Sequence, residues 1–290
     1  MKKEKGKLCT LKEAAELVKE GDILSLGGMT LYRRPMAFAL QLARNKIKNL
    51  TLFNLTSSIE SDFLVGAGCV KRVRTCYFGM EFLGLAPNFR RAAESLKIEV
   101  IEETELTIAL ALQAALMDVS FLPTRKLFNT DILKVREDLE IFKSPIDDEK
   151  LIAVRAVRPD VAVIHVPVCS EEGYAQIPGN LGVDKELSRC AKKVILTTEK
   201  IVSTKELSKK RVEIFGFNVD CVVELEKGAH PTSCYPLYAL DLRNLLAYMY
   251  VSSEEQLFES FLKEYVLGVE SHREYLEKIS KIQKMVEGFR

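Results

Sequence analysis

The stretch that decides the fold of this chain spans residues 21–36 and reads GDILSLGGMTLYRRPM. Its apolar segment Ile23–Leu26 predicts a short buried strand that ends at Gly27 and Gly28. A helix is expected to begin near Pro35. Adjacent glycines adopt positive φ at no steric cost and leave no Cβ between the backbone and a ligand. Because open α/β sheets bind ligands at the carboxyl ends of their strands, this segment predicts a ligand loop. The alternative is a tight strand-to-helix turn.

Two arginines, Arg33 and Arg34, lie in the same loop. A guanidinium group binds a carboxylate or a phosphate through two parallel hydrogen bonds, so the pair is a candidate for holding an anionic ligand. The alternative is a structural or surface ion pair, which contributes little to stability when it is exposed. The spacing of the residues leaves both interpretations open.

Beyond this stretch, short apolar segments alternate with segments of helical periodicity. The segments with the length and composition of buried strands are 23–26, 50–55, 70–78, 98–101, 161–168, 194–198 and 221–225. Near-continuous apolar strands separated by helices are typical of a parallel sheet that is covered on both faces. We therefore expect an α/β fold with a mostly parallel sheet and helices on both faces. A charged, mostly polar segment, 134–150, precedes the last three of these strands.

The C-terminal part of the chain has a different pattern. Ser252 and Glu255 have the spacing of a helix-capping pair, and residues 272–286 predict a second, charged helix. The sequence thus predicts an α/β domain over residues 1–250 and a C-terminal helical tail over residues 251–290.

Composition excludes several classes of partner. The chain has 290 residues, 47% of them hydrophobic and 29% charged, as in ordinary globular proteins. Its 42 basic and 41 acidic residues give a net charge of +1, which predicts neither nucleic-acid nor membrane binding. The N-terminal residues contain no apolar secretory segment, so we expect a cytoplasmic protein.

Metal and nucleotide-cofactor motifs are missing from the sequence. The seven cysteines form no Cys-x-x-Cys pair, and the three histidines stand far apart. We therefore expect reduced, mostly buried thiols and no metal. No Gly-x-Gly-x-x-Gly motif follows a strand, and neither a Walker loop nor a Gly-x-Ser-x-Gly elbow occurs. This disfavours a dinucleotide-binding domain, a P-loop NTPase and an α/β-hydrolase.

Several segments together resemble the A subunits of class I CoA-transferases, in particular that of glutaconate CoA-transferase. The diglycine segment resembles the first signature of this family, with Met29 in place of a Phe and Arg33 in place of a Gly. Further matching segments follow in family order, at 77–90, 102–105, 121–125, 159–165, 173–182 and 228–241. Their combination is specific, although each segment alone would be weak.

The resemblance implies the CoA-transferase fold, which sugar-phosphate isomerases share, and a two-chain enzyme of which this chain is the A subunit. In such enzymes a glutamate attacks the thioester of an acyl-CoA, and CoA passes to a carboxylic acid through a covalent enzyme–CoA thioester. That glutamate belongs to the B subunit. The resemblance thus implies a hetero-oligomer of A and B chains, with acyl-CoA as a substrate and no separate cofactor.

Two carboxylates are candidate catalytic residues. In a sister branch of steroid-ring-opening hydrolases, a glutamate of the A chain is catalytic, and the resemblance places Glu105 at or near that position. A buried carboxylate there would act as a general base, its pKa raised by desolvation. The alternative is a favourable charge at a helix N-terminus, worth about 0.3–1 kcal/mol. Glu81, in the family's Gly-x-Glu segment, is the second candidate, with the capping of backbone amides as its alternative.

The residues predicted to bind substrate or CoA are Gly27, Gly28, Arg33, Arg34 and Ser57. Ser57 follows the strand 50–55 at the ligand edge, where a helix N-cap is the alternative role. The segment 170–173 resembles the Ser-Glu-Asn-Gly signature around the B-chain nucleophile. A turn is the better interpretation there, because the segment directly follows a strand. Two functional alternatives stay open: ring-opening hydrolysis with Glu105 as the base, and a non-catalytic subunit that binds acyl-CoA.

Overall fold

The computed structural model describes residues 6–208 and 211–287. Residues 1–5, on which the expectation of no secretory segment rests, lie outside this part, as do residues 288–290 of the predicted tail. The strands are β1 (Ile23–Leu26), β2 (Leu50–Ser57), β3 (Val70–Phe78), β4 (Glu99–Glu102), β5 (Phe121–Thr124), β6 (Glu140–Lys143), β7 (Lys150–Arg155), β8 (Val161–Val166), β9 (Val168–Ser170), β10 (Ala175–Gln176), β11 (Lys193–Thr198), β12 (Ile201–Val202) and β13 (Cys221–Glu224).

The α-helices are α1 (Leu11–Ala15), α2 (Met36–Arg44), α3 (Ile59–Gly66), α4 (Pro87–Glu94), α5 (Glu105–Leu116), α6 (Ile132–Val135), α7 (Asp184–Cys190), α8 (Thr204–Leu207), α9 (Leu242–Ser252), α10 (Glu255–Phe261) and α11 (His272–Glu287). Short 3-10 turns occur at Glu81–Leu83 and Gly216–Asn218, and a π-helical turn at Leu262–Leu267. Within the described residues, none of these helices has the length and apolar composition needed to cross a bilayer.

Seven strands form one parallel sheet in the order β13-β11-β8-β1-β2-β3-β4, which confirms the predicted α/β fold. Strand β1 is central: Leu24 is paired with Leu52 of β2 on one side and with Val161 of β8 on the other. The chain proceeds from β1 outward to β4 and later returns to β8, so the strand order reverses between β1 and β8. Such a switch point opens a crevice at the carboxyl ends of the strands. The diglycine pair follows β1 at this point.

Apolar clusters cover both faces of the sheet. Val161 and Val163 of β8 belong to one cluster, whereas Ala162 and Ile164 belong to the other, because successive residues of a strand point to opposite faces. Helices α2 and α3 contribute to the first cluster, and α5 and α7 contribute to the second. This arrangement confirms the predicted helical cover on both faces.

A three-stranded antiparallel sheet, in the order β5-β7-β6, is absent from the sequence-based prediction. Strand β6 lies within the charged segment 134–150, where the sequence predicts no strand. Three of the four residues of β6 are exposed, and no apolar periodicity marks it as a strand. Backbone pairing with β7, in which Phe142 lies opposite Leu151, defines the strand instead.

The C-terminal helices share the core of the α/β domain. Phe258 of α10 packs against Phe63 of α3, with ring centroids 5.9 Å apart. The predicted cap at Ser252 is wrong: this residue ends α9, and Glu254 stands at the N-cap of α10. A domain boundary after residue 250 stays a prediction, and it falls inside α9.

Two buried titratable groups connect the domain to these helices. Asp62 of α3 accepts hydrogen bonds from the N–H of Phe89 and the hydroxyl of Tyr248, both at 2.7 Å, and burial raises its pKa to about 6. His272 begins α11, and its Nε2 lies 3.1 Å from the carbonyl oxygen of Glu226. Burial lowers the pKa of His272 to about 4.

Two cysteines that are distant in the sequence lie next to each other in the structure. The thiols of Cys9 and Cys221 lie side by side, with Cα atoms 6.0 Å apart, and whether they are reduced stays a prediction. The pair was not recognisable from the sequence because 212 residues separate its members. The free cysteines are Cys69, Cys76, Cys169, Cys190 and Cys234.

Candidate active site

Neighbouring atoms pack closely around the diglycine bend that follows β1. The N–H of Gly27 donates to the carbonyl oxygen of Val163 at 2.8 Å, which continues the pairing of β1 with β8. Gly28 has φ +85°, and a Cβ there would lie 2.5 Å from the carbonyl oxygen of Tyr32. A Cβ on Gly27 would lie 2.6 Å from Oδ1 of Asp184. Both positions therefore require glycine, and atoms of this chain fill the space beside them.

Asp184 stabilises the bend, and the sequence analysis missed it. Its Oδ1 accepts a hydrogen bond from the N–H of Gly28 at 2.9 Å, and its Oδ2 pairs with Arg33 at 2.8 Å. Arg33 also donates to the carbonyl oxygens of His165 and Asn180, at 2.8 and 2.9 Å. The side chains of Arg33 and Asp184 are both fully buried. One carboxylate thus fixes the glycine backbone and neutralises the arginine.

Arg34 forms a second buried ion pair at the bend. Its partner is Glu60 near the start of α3, and its guanidinium also donates to the carbonyl oxygen of Gly28 at 3.2 Å. Both side chains of the pair are fully buried. Arg33 and Arg34 therefore lie beside the glycines, as the sequence indicates, with their guanidinium groups bound to groups of the protein. Their binding of an anionic ligand stays a prediction.

A hydrogen-bond network connects the bend to the end of β2. The amide oxygen of Asn54 accepts from the N–H of Leu26 at 2.8 Å, and its NH2 group donates to the hydroxyls of Ser57 and Ser61 at 3.0 and 3.2 Å. Ser57 is fully buried. Ser58, not Ser57, occupies the N-cap position of α3, and its hydroxyl caps no N–H. Contact between Ser57 and a substrate stays a prediction.

Glu105 is the first residue of α5, and its side chain is exposed. The buried carboxylate of this segment is Glu103, which pairs with Arg74 at 2.6 Å and with Arg136 at 2.7 Å. Glu103 also accepts a hydrogen bond from the hydroxyl of Thr107 at 2.6 Å. Within the described residues nothing buries Glu105, so the desolvation expected of a general base at this position requires a second chain.

Glu81 begins the 3-10 turn after β3 and is also exposed. Its φ of +53° lies in the left-handed region, which costs a non-glycine residue roughly 1 kcal/mol. Its N–H donates to the hydroxyl of Tyr77 at 3.0 Å. Two apolar residues nearby, Phe82 and Leu85, are 70% and 63% exposed. Strained backbone of this kind concentrates at functional sites, where the surrounding structure maintains it.

Parallel pairing brings the predicted residues to one edge of the sheet. Gly27 follows β1, Ser57 ends β2, Glu81 follows β3 and Glu105 follows β4, and these four strands are neighbours. The environment of Cys76 in β3 supports this placement, because burial and then the charge of Glu105 raise its pKa to about 11. The edge thus combines a rigid, fully packed bend with two solvent-exposed carboxylates.

His165, near the end of β8, is a core histidine with partners for both ring nitrogens. Its Nδ1 lies 2.9 Å from the hydroxyl of Thr197, and its Nε2 lies 2.9 Å from Glu199. His165, Glu199 and Cys234 have ligand atoms within 4.8 Å of one another. Because Glu199 also accepts a hydrogen bond from the hydroxyl of Tyr238, a cation would have to displace existing hydrogen bonds.

The segment 170–173 forms a tight turn between β9 and β10. The N–H of Gly173 donates to the carbonyl oxygen of Ser170 at 2.9 Å, and Gly173 has φ +86°. A Cβ on Gly173 would lie 2.7 Å from Cβ of Val219. The turn interpretation is therefore confirmed, and close packing explains the glycine of this segment.

Comparison with known proteins now identifies the family. A family model described as Coenzyme A transferase matches residues 9–225. The chain is 32% identical to the A subunit of glutaconate CoA-transferase from Acidaminococcus fermentans, over 94% of this chain and 92% of that relative. The crystal structure of that enzyme matches with a TM-score of 0.87 at 31% identity, covering 94% of this chain and 92% of the other. The chain belongs to the coenzyme A transferase family.

Other relatives have names that describe different reactions. The chain is 29% identical to the A subunit of 3-oxoadipate CoA-transferase from Pseudomonas knackmussii, over 94% of this chain and 98% of the relative. It is also 29% identical to the IpdA subunit of a cholesterol ring-cleaving hydrolase from Mycobacterium tuberculosis, over 91% of this chain and 94% of the relative. An uncharacterized protein of Archaeoglobus fulgidus is 34% identical, and this chain spans 61% of its length.

Proposed function

We propose that this chain is the A subunit of a two-subunit CoA-transferase, which moves CoA between an acyl-CoA and a carboxylic acid. The observation that supports this proposal most strongly is the alignment along nearly the whole chain with the A subunit of glutaconate CoA-transferase. We infer that a B subunit completes the enzyme in the cytoplasm and contributes the glutamate nucleophile. Acyl-CoA and the acid are the substrates, and the reaction takes no further cofactor.

The exposure of Glu81 and Glu105 supports the need for a second chain. A carboxylate is a poor nucleophile and a weak base while water solvates it. A partner that encloses the edge would desolvate both groups. The exposed side chains of Phe82 and Leu85 offer that partner an apolar contact beside Glu81. We therefore place the B subunit over the carboxyl ends of β2, β3 and β4, with the active site between the two chains.

The proposed reaction uses the two chains in different ways. Nucleophilic attack by the glutamate of the B subunit on the thioester carbonyl forms an acyl-glutamyl anhydride and releases CoA as a thiolate. The thiolate then attacks the glutamyl carbonyl, so the first acid leaves and an enzyme–CoA thioester remains. A second acid reverses these steps. This chain contributes the rigid bend at Gly28 and the two carboxylates Glu81 and Glu105, which contact the bound substrate.

Co-expression with the product of the neighbouring reading frame tests the proposal. The complex should exchange CoA between two acids, and mass spectrometry should find CoA attached to a glutamate of the B subunit. Hydroxylamine added with acyl-CoA should stop turnover, because it converts the enzyme thioester to a hydroxamate. Full activity without a covalent thioester would contradict CoA transfer.

Likeness to the IpdA subunit favours a second candidate, the hydrolytic opening of a ring in a CoA thioester with Glu105 as the general base. Such a hydrolase cleaves a ring bond by adding water and needs no acceptor acid, and Glu105→Gln should abolish that reaction while CoA binding persists. A complex whose turnover is unchanged by both Glu105→Gln and Glu81→Gln would instead indicate that this chain only binds acyl-CoA.

A further inference from the structure

A cavity of about 300 Å³ lies between the C-terminal helices and the first residues of α2 and α3. Helices α9, α10 and α11 and the π-helical turn contribute most of its lining. The most buried lining residues are Met36 of α2 and Ile59 of α3, both 1% exposed. The described lining includes none of the residues proposed to contact the substrate. The cavity is therefore a separate feature of the molecule.

The wall of this cavity is apolar and rigid. Eleven of the fourteen described lining residues are apolar or aromatic. Phe261 stacks on Tyr265 with ring centroids 5.5 Å apart and meets Tyr248 edge-on at 6.4 Å, so neighbouring rings fix one another. Apolar cavities bind apolar molecules in preference to water, and one of about 150 Å³ holds benzene. This cavity therefore suits a mostly apolar molecule roughly twice the size of benzene.

Charged groups are nearly absent from the lining. Glu264 is the one charged residue in its described part, and it is exposed. No lysine, arginine or histidine lines the described part of the cavity. Moving an ion from water into such a site without a counter-ion is costly. The cavity thus suits neither the phosphates of CoA nor the carboxylate of an acceptor acid.

Tyr275 offers a hydrogen-bonding group that the protein leaves unused. This residue lines the cavity and is 3% exposed, and its hydroxyl has no hydrogen-bond partner in the part of the chain that the structure describes. By contrast, the hydroxyl of Tyr248 donates to Asp62 at 2.7 Å, and that of Ser260 donates to the carbonyl oxygen of Gln256 at 2.9 Å. A buried polar group without a partner loses the hydrogen bonds it makes with water in the unfolded chain. An oxygen of a bound ligand would restore one for Tyr275.

We propose that this cavity binds a small uncharged molecule, of the size of a naphthol, with an apolar body and one hydroxyl or carbonyl group. The body contacts the aromatic and aliphatic wall, and the polar group accepts a hydrogen bond from the hydroxyl of Tyr275. This site goes beyond the proposed CoA transfer, because acyl-CoA and the acid both carry negative charges that the described lining does not neutralise.

The inner wall of the cavity continues into the diglycine bend. The N–H of Met36 donates to the carbonyl oxygen of Arg34 at 2.7 Å. Ile59 directly precedes Glu60, the buried counter-ion of Arg34. A ligand that packs against Met36 and Ile59 therefore restrains the backbone that holds this ion pair in place. We expect binding in the cavity to slow local opening at the bend.

The test uses the complex of this chain with its B subunit and 2-naphthol as the probe, with binding measured by calorimetry. The probe should bind and raise the Tm of the complex. Ala247→Trp should weaken binding by about tenfold or more, because Ala247 is an exposed lining residue and an indole there would fill the opening. Leu246→Trp is the matched control, since Leu246 is the neighbouring exposed residue of α9 outside the described lining, and it should leave the affinity unchanged.

Probes with the same ring system test the chemical class of the ligand. The anion 2-naphthoate and the cation 2-naphthylmethylammonium should each bind at least about tenfold more weakly than 2-naphthol. Tyr275→Phe should weaken 2-naphthol by about fivefold and leave naphthalene unchanged. Tighter binding of the cation would show that Glu264 selects the ligand and would overturn the uncharged class. Equal losses for 2-naphthol and naphthalene would remove the hydroxyl of Tyr275 from the proposed contacts.

Hydrogen exchange followed by mass spectrometry tests the connection to the bend. Bound 2-naphthol should slow amide exchange in the peptide that spans residues 33–40, and unchanged exchange there would overturn this connection.

The remaining outcomes separate this inference from the proposed function. Absence of binding, or binding that Ala247→Trp leaves unchanged, would overturn the site without bearing on the exchange of CoA between acids. Displacement of 2-naphthol by saturating CoA would place the cavity within the substrate site and would also overturn the proposal. A complex that binds 2-naphthol in this way but exchanges no CoA would contradict the proposed function and confirm the site.

Discussion

Replacing Asp184 by Ala removes the only carboxylate that contacts both Gly28 and Arg33 in the described structure. The change deletes the buried ion pair at 2.8 Å and the acceptor for the N–H of Gly28 at 2.9 Å. A buried charge that loses its partner costs about 3–5 kcal/mol. An unsatisfied backbone N–H costs about 1–3 kcal/mol, and part of this loss is shared with the first because one side chain makes both contacts. We expect the free energy of unfolding to fall by about 4–5 kcal/mol, a large share of the roughly 5–15 kcal/mol of a typical protein.

Far-UV circular dichroism in urea measures this change, because the chain contains no tryptophan to serve as a fluorescent probe. The unfolding midpoint should fall while the slope with urea stays the same. Glu99→Ala is the matched control: it breaks the exposed ion pair with Arg72, in which the side chains are 49% and 40% exposed, and should cost less than about 1 kcal/mol.

A double variant separates the charge from the packing. Arg33→Met combined with Asp184→Leu removes both charges, so more than half of the loss should be recovered relative to Asp184→Ala. A shift for Asp184→Ala as small as that for Glu99→Ala would refute the reasoning. So would a double variant that is no more stable than the single one.

Burial makes the contributions of Asp62 and His272 to stability change with pH in opposite directions. The pKa of Asp62 is raised from 3.8 to about 6, so the folded state binds the proton of this carboxyl group more tightly than the unfolded state does. Protonated Asp62 therefore contributes about 3 kcal/mol to the free energy of unfolding, and this contribution is lost as pH rises through that interval. The pKa of His272 is lowered from 6.5 to about 4, so a contribution of similar size is lost as pH falls through that interval. In urea unfolding at several pH values, Asp62→Asn should remove the loss of stability with rising pH. His272→Gln should remove the loss of stability with falling pH. Glu103→Gln should lower stability by about 2 kcal/mol, because two arginines share this carboxylate, whereas Glu105→Gln should change it by less than about 0.5 kcal/mol and still slow turnover of the complex. Gly28→Ala should cost about 2–4 kcal/mol by thermal unfolding, since the added Cβ would clash with backbone; a loss below about 1 kcal/mol would show that the bend relaxes.

Most of the central sheet could be predicted because most of its strands are short apolar segments between helices, whereas β4 at its edge is mostly exposed. Two of them, Ile23–Leu26 and Val70–Phe78, have the predicted bounds. Strand β6 could not be predicted, because it lies inside a charged segment and pairing with β7 rather than an apolar pattern defines it. Local patterns therefore identify the buried elements and miss a strand that depends on its neighbour.

The candidate site, too, could be predicted from the sequence only in part. The placement of Gly27, Ser57, Glu81 and Glu105 at one edge follows from parallel strands, whose carboxyl ends meet there. The burial of individual side chains does not follow from the pattern, and Glu105 is exposed although a buried base was expected. The role of Asp184 was not predictable either, because it depends on how the chain returns to β8 before α7 begins.

The two buried arginines also determine when the bend after β1 can be completed during synthesis of the chain. Arg34 and its counter-ion Glu60 are 26 residues apart in the chain, whereas Arg33 and Asp184 are 151 residues apart. The bend after β1 therefore carries an unneutralised cation until Asp184, the first residue of α7, has been translated. A fragment that ends before this helix would leave that charge without its counter-ion at the middle of the sheet, so we expect such a fragment not to fold by itself.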